Sequence, residues 1–307
     1  MAACCKRMNI QYIKDNWEFF SLQSKDHFKS ATLLQHHAIQ FIAMAGRYLI
    51  PQKTDDSNTN MKWYLNKKMV IGDWINSRQF PLKLGIRLED LVLFIFDPSF
   101  HEVARFYIQG KTKPDIFQWL KLTLKELGVD NINVLQMDMH YAIPSHKTDD
   151  EAPFEIENKE EMKTLTTIRS NAELILEELA RQFDHPSKVK IWPHHFDTSC
   201  VVPIENTGGE IRKTIGLGLA VPDENVDYYY FYVNHWSVDD NMDYTQIREL
   251  EGGGHWITSN WIGAVLPISE FYNDSNADAQ VNRVHSFFVS AINNTLDLLL
   301  TTKIRMK

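Results

Sequence analysis

Three segments of the C-terminal half set histidine beside a bulky ring: Trp192-Pro193-His194-His195-Phe196-Asp197, Asn234-His235-Trp236 and Gly252-Gly253-Gly254-His255-Trp256. Imidazole titrates near neutrality and ligates metals, so these are the residues from which a catalytic or metal site would be built. If the chain beyond Pro193 is extended, His195 and Asp197 share one face while His194 and Phe196 share the other. His195, Asp197, His235 and His255 together would offer the imidazole and carboxylate donors that suit a divalent metal, zinc or iron. An open coordination position would then hold a nucleophilic water, with His194, His195 and Asp197 as the catalytic candidates. The metalloprotease pattern, two histidines one helical turn apart with a glutamate between, does not occur. Lone histidines beside aromatics are, in the plainer reading, hydrogen-bonded core residues.

A second chemistry is recognition through rings. Trp192, Tyr230, Tyr232, Trp236, Trp256 and Trp261 could line a pocket for a small planar ligand, and the plainer reading is a sheet face closed by aromatic cross-strand pairs. Cys200 with His195 could form a nucleophile and base, although a single cysteine in a strand is usually a small buried hydrophobe. Ser199 has no stronger claim. His36 and His37 are neighbours on a helix, about 100° apart, so they cannot address one point and read as partly exposed or structural.

The elements that would position these residues follow from periodicity. Apolar residues at helical spacing predict a helix over 24–49 stopped by Pro51, another from Pro114 to Gly128, a third over 162–183 and a terminal one from about Asn276. Strands are expected over 61–71, 91–96, 102–108, 133–142, 188–192, 197–202, 213–221, 228–236 and 256–266. Strands that follow one another without intervening helices predict an α+β fold, mainly antiparallel sheets covered by long helices. The order helix, strands, helix recurs, which suggests two similar halves, 1–146 and 162–307. Between them 147–161 carries seven acidic residues and reads as a solvated linker.

The chain has 307 residues, 44% hydrophobic and 23% charged, enough to bury a sizeable core. Its formal net charge of −8, with no basic run, argues against a nucleic-acid partner. Cys4, Cys5 and Cys200 cannot form a disulfide framework, and the first ten residues lack an apolar run of signal-peptide length. Nor does any stretch of roughly 18 uncharged apolar residues occur, so a soluble cytoplasmic protein without a membrane partner is expected. No glycine-rich phosphate loop opens a helix, since Gly216-Leu217-Gly218 falls inside a strand.

The segments Trp192–Asp197 (WPHHFD), Tyr230–Trp236 (YFYVNHW) and Trp261–Pro267 (WIGAVLP) resemble, in that order, a bacterial family known as domain of unknown function family 5996. The resemblance covers most of the chain and implies no activity and no catalytic assignment. It implies a histidine in the N-terminal half where this chain has Asn60-Met61-Lys62-Trp63. Two functions are therefore weighed. One is a small-molecule enzyme with a His/Asp pocket, metal-assisted in one version; the alternative is a non-catalytic module that binds a small ligand or a protein, its histidines structural. Geometry separates them: ligating nitrogens converge to about 2.0 to 2.1 Å from a metal, whereas structural histidines each find their own partner.

Overall fold

The computed structural model describes residues 8–22, 28–239, 242–259 and 261–301. Cys4 and Cys5 lie outside the described residues, as does the expected beginning of the first long helix at Ser24. In chain order the elements are α1 (Ile10–Asn16), α2 (Lys29–Leu49), β1 (Lys62–Tyr64), β2 (Met69–Ile71), β3 (Lys83–Arg87), β4 (Val92–Phe96), β5 (Glu102–Tyr107), α3 (Lys113–Glu126), α4 (Lys159–Ala180), β6 (Lys190–Trp192), β7 (Asp197–Thr207), β8 (Glu210–Ala220), β9 (Tyr230–Ser237), β10 (His255–Ser259), β11 (Trp261–Pro267) and α5 (Ala277–Thr301). The fold is α+β, built on two antiparallel sheets. None of the described helices is long and apolar enough to cross a membrane.

The chain forms two compact units, one of Phe28–Ser170 with Lys190–Phe196, the other of Met1–His27, Asn171–Val189 and Asp197–Lys307. Residues 147–161, read from their acidity as the join between halves, lie inside the first of these. Their charge is at the surface, but Thr148 and Phe154 are buried. Phe154 also exchanges backbone hydrogen bonds with Gly110 and Lys111, both 2.8 Å.

In the first unit the sheet is a meander, β1-β2-β3-β4-β5. The continuous apolar run of β4 is buried at every position, and the charged alternation of β5 leaves its polar residues in water, as a strand at the end of a sheet requires. Asp97 shapes the turn between them by accepting from Ser99 and His101 backbone N–H groups. The single strand expected over 61–71 is instead a hairpin: residues Leu65–Lys67 form a 3₁₀ turn, Lys68 takes φ 48°, and Trp63 pairs with Val70. The strand expected over 133–142 does not form; Ile132–Val134 is a 3₁₀ turn and the chain beyond it joins neither sheet.

Helix α2 is buried along most of its length. At Gly46 the backbone of Asn58 and Thr59 comes close. A Cβ there would stand 2.5 Å from the Asn58 carbonyl oxygen, while the Asn58 side-chain amide donates to the Gly46 carbonyl at 3.1 Å.

In the second unit the strands of the sheet run β10-β11-β9-β8-β7. This is not the plain meander of the first unit, because β9 pairs with β11 rather than β10, so the strand orders do not repeat. Helix α5 covers one face: Phe231 of β9 meets Phe288 edge-on at 5.8 Å. On that face the buried Lys213 donates to the Leu299 carbonyl at 2.7 Å, a cation placed at a helix C-terminus. Helix α1, not expected from the sequence, buries Ile13, and just beyond it the Trp17 indole N–H donates to Gln280 on α5 at 3.1 Å.

Gly46→Ala should destabilise the protein by about 1 to 3 kcal/mol in urea denaturation, because the new methyl meets backbone that cannot swing aside.

Candidate functional site

The four residues between Trp192, the end of β6, and Asp197, the start of β7, are not extended. Phe196 donates its backbone N–H to the Trp192 carbonyl at 2.7 Å and takes φ 59°, which closes 192–196 into a turn. Alternation therefore does not apply, and the expected pairing of His195 with Asp197 on one strand face is corrected. The turn instead presents His194 and His195 side by side, ring centroids 4.3 Å apart, with Trp192 edge-on to His194 at 6.1 Å. His194 also meets Tyr141 at 5.7 Å, and His140 stands beside Tyr141 with its Nε2 3.1 Å from Asp56.

What holds this turn is a buried polar network on α2. His36 Nε2 lies 2.8 Å from the Pro193 carbonyl, which can only accept, so Nε2 carries the proton. Gln40 donates to the same carbonyl at 3.0 Å and accepts from the Tyr141 hydroxyl at 2.8 Å. The Phe196 ring stacks on His36 at 5.1 Å, and the buried Arg169 guanidinium lies 4.0 Å from the centre of that ring while donating to the Phe196 carbonyl. Burial, opposed by the Pro193 hydrogen bond, lowers the His36 pKa from 6.5 to about 4, so the ring is neutral at pH 7.

His37, one residue on, faces a second set of partners. Its Nε2 donates to the Pro144 carbonyl at 2.9 Å, which leaves Nδ1 to accept from the Lys113 ammonium at 2.8 Å. Lys113 donates also to Asp149 at 2.5 Å, and the other Asp149 oxygen accepts from the His146 backbone at 3.0 Å. Local sequence fixes Lys113: Thr112 and Asp115 form a capping box at the start of α3, with Lys113 as the first helical residue and Pro114 the second. Desolvation dominates at His37 and holds its pKa below the usual value.

These groups border a cavity of about 310 Å³. One wall is a stripe of α2, His37, Gln40, Phe41 and Met44, at the spacing of one helix face. Facing it are Met137, Met139, Tyr141 and Ile143, alternate residues of the irregular segment, with Asp138 among them and Lys113 and Asp149 completing the lining. This alternation explains the unformed strand: it reports one-sided packing on a helix, and no neighbouring strand completes a ladder. Asp138 is engaged by the Tyr48 hydroxyl and, at 3.7 Å, by Arg47.

The residues singled out in the second unit do not converge. In register, His255 stands opposite Val265 and Val265 opposite Tyr232, so His255 shares the Tyr232 face. His235, three residues from Tyr232, points to the other face, where it lies opposite Ile215 and its Nε2 meets the Tyr244 hydroxyl at 3.0 Å. One ion cannot be held from both faces of a sheet. Asp197 meanwhile accepts from the Tyr232 hydroxyl at 2.8 Å. Among the described residues no group of three or more His, Cys, Asp and Glu is placed to hold a metal, and of the expected set of His195, Asp197, His235 and His255 the last two lie on opposite faces of one sheet.

Of the ring candidates, Tyr230, Tyr232 and Trp261 do come together, packed with Val226 and Val265. Their polar ends serve the fold, since Tyr230 donates to Asp223 at 2.7 Å as Tyr232 does to Asp197. Gly218 lies under Tyr232, where a Cβ would come within 2.5 Å of the ring. Trp256 is on the opposite face and donates to the Arg248 carbonyl, Trp236 is exposed, and Trp192 belongs to the first unit. Cys200 is buried, and burial pushes its thiol up to about 12, which removes it as a nucleophile. His36 and His37 diverge as expected from a helix, but both are buried rather than partly exposed.

No family model matches the chain, and no match to it was found among curated proteins or solved structures.

Unfolded, His36 takes up a proton below about 6.5; folded, it does so only near 4. The unfolded state binds more protons in that interval, so the contribution is complete above pH 6.5 and is lost as pH falls toward 4. The shift is worth on the order of 3 kcal/mol. Urea denaturation of wild type and His36→Gln at pH values spanning the interval should show the wild type losing more stability on acidification than the variant does.

Proposed function

We propose that this protein binds a small, largely apolar organic molecule in the cavity lined by α2, residues 137–143 and the start of α3. The observation that carries this reading is the cavity itself: one helical stripe faces a methionine-rich segment, and His37 and Asp149 both bond Lys113. Such a combination, mainly apolar with a few placed donors, is the usual form of a small-ligand site. Met44, Met137 and Met139 give the wall soft, unbranched side chains that adapt to a guest.

The histidines support a binding module over metal-assisted catalysis. His36, His37 and His235 each have a partner of their own, a carbonyl or a hydroxyl, which is how structural imidazoles are expected to behave. The formal charge of −8 favours a small molecule over nucleic acid as the partner. A cytoplasmic location and the bacterial origin implied by the resemblance to family 5996 belong to the same proposal and are supported by the sequence segments alone.

Binding is tested with an environment-sensitive apolar dye, wild type against Met44→Trp, whose larger side chain occupies the cavity. Dye fluorescence should rise with wild type and fall at least several-fold in the variant while its melting temperature stays within a few degrees. Equal fluorescence in both proteins would place the dye elsewhere and remove the support for this site.

A further inference from the structure

We infer that the cavity selects a carboxylate, an aliphatic acid whose head group meets Lys113 and whose chain lies along the methionine wall. This rests on the cavity being the binding site and adds the class of ligand.

The polar groups of the lining differ in what each has left to offer a ligand. His37 uses both ring nitrogens, on Pro144 and Lys113. Gln40 gives its amide N–H groups to the carbonyls of His36 and Pro193, and its oxygen accepts from Tyr141. Tyr141 has therefore spent its only proton. Asp149 receives Lys113 on one oxygen and the His146 backbone on the other. Asp138 receives the Tyr48 hydroxyl and faces Arg47.

Lys113 is different. An ammonium has three donors, and among the described residues two are used, toward His37 and Asp149. Its third N–H is the remaining charged donor of the lining, held in place by a capped helix start and two fixed acceptors. A ligand that satisfies it needs an acceptor, and an anionic acceptor makes the stronger bond. The two carboxylates of the lining set an upper limit on charge. Each already has its own cation, so one added negative charge finds a shared donor, whereas a phosphate dianion would stand against Asp138 and Asp149.

The remainder of the ligand is specified by the wall. Phe41, Met44, Met137, Met139 and Ile143 offer no hydrogen bond stronger than a thioether contact. At a liquid water's share of about 30 Å³, the space of about 310 Å³ suits a chain of roughly ten heavy atoms. An unbranched acyl chain matches flexible thioethers better than a rigid polar ring does.

The experiment compares octanoate, octanol and octylamine by calorimetry at pH 7, on wild type, Lys113→Met, Lys113→Arg and Met44→Trp. Octanoate should bind wild type roughly tenfold more tightly than octanol, as one charge-assisted hydrogen bond predicts. Lys113→Met should level the two by weakening octanoate alone, and Lys113→Arg should keep a preference for the acid. Equal binding of acid and alcohol to wild type, a preference for the amine, or an acid preference that survives in Lys113→Met would overturn the carboxylate inference while leaving the cavity as the site. Binding of all three compounds that is unchanged in Met44→Trp, or no binding to folded wild type, would overturn the cavity reading and this inference with it. The wild-type comparison decides the matter even if a Lys113 variant does not fold.

Discussion

On a helix buried over most of its surface an unpartnered polar side chain is costly, and α2 carries three within five residues whose partners come from outside the helix. His36, His37 and Gln40 would each cost a few kcal/mol if buried alone. Their partners are carbonyls from two segments without regular structure, Pro193 in the Trp192–Phe196 turn and Pro144 beyond the 137–143 stretch. The helix is stable because the loops supply acceptors, and the loops are ordered because the helix supplies donors. Everything proposed about the cavity depends on this exchange, since the same residues form its wall and hold its far side.

Much of the fold was legible. The long helices, the buried run of β4 and the hairpin it forms with β5 follow from apolar spacing and turn chemistry, and they formed where expected. Two failures share a cause. Residues 133–142 alternate as a strand does, and 147–161 are acidic as a linker is, yet both pack within the first unit. Alternation records that one side of a chain is buried and says nothing of what buries it. Acidity records which side faces water and says nothing of whether Phe154 on the other side is held.

The candidate site was legible in outline only. The WPHH segment was singled out for its imidazoles, but its meaning changed once it proved to be a turn, because what matters there is the Pro193 carbonyl as much as the imidazoles. His235 and His255 looked equivalent as histidines beside tryptophan, and the pairing of β9 with β11 sends them to opposite faces. That order of strands is a long-range property that local spacing does not contain. Lys113 and Asp149 were not singled out at all. The available signal was the run His36-His37-Ala38-Ile39-Gln40, three polar residues inside a helix apolar on most sides, a pattern that requires buried partners somewhere.

Phe196 carries a requirement of another kind. Its backbone, at φ 59°, is of the sort that glycine adopts without strain and an aromatic residue adopts only against a cost of about 1 kcal/mol or more. Its ring, meanwhile, is the surface on which His36 stacks and over which the Arg169 guanidinium lies. Glycine would relax the turn and remove the surface; leucine would fill the space and keep the strain without a π face for the cation. No common side chain meets both demands better, so mutational tolerance at this position should be among the lowest in the chain, at a residue that itself performs no chemistry.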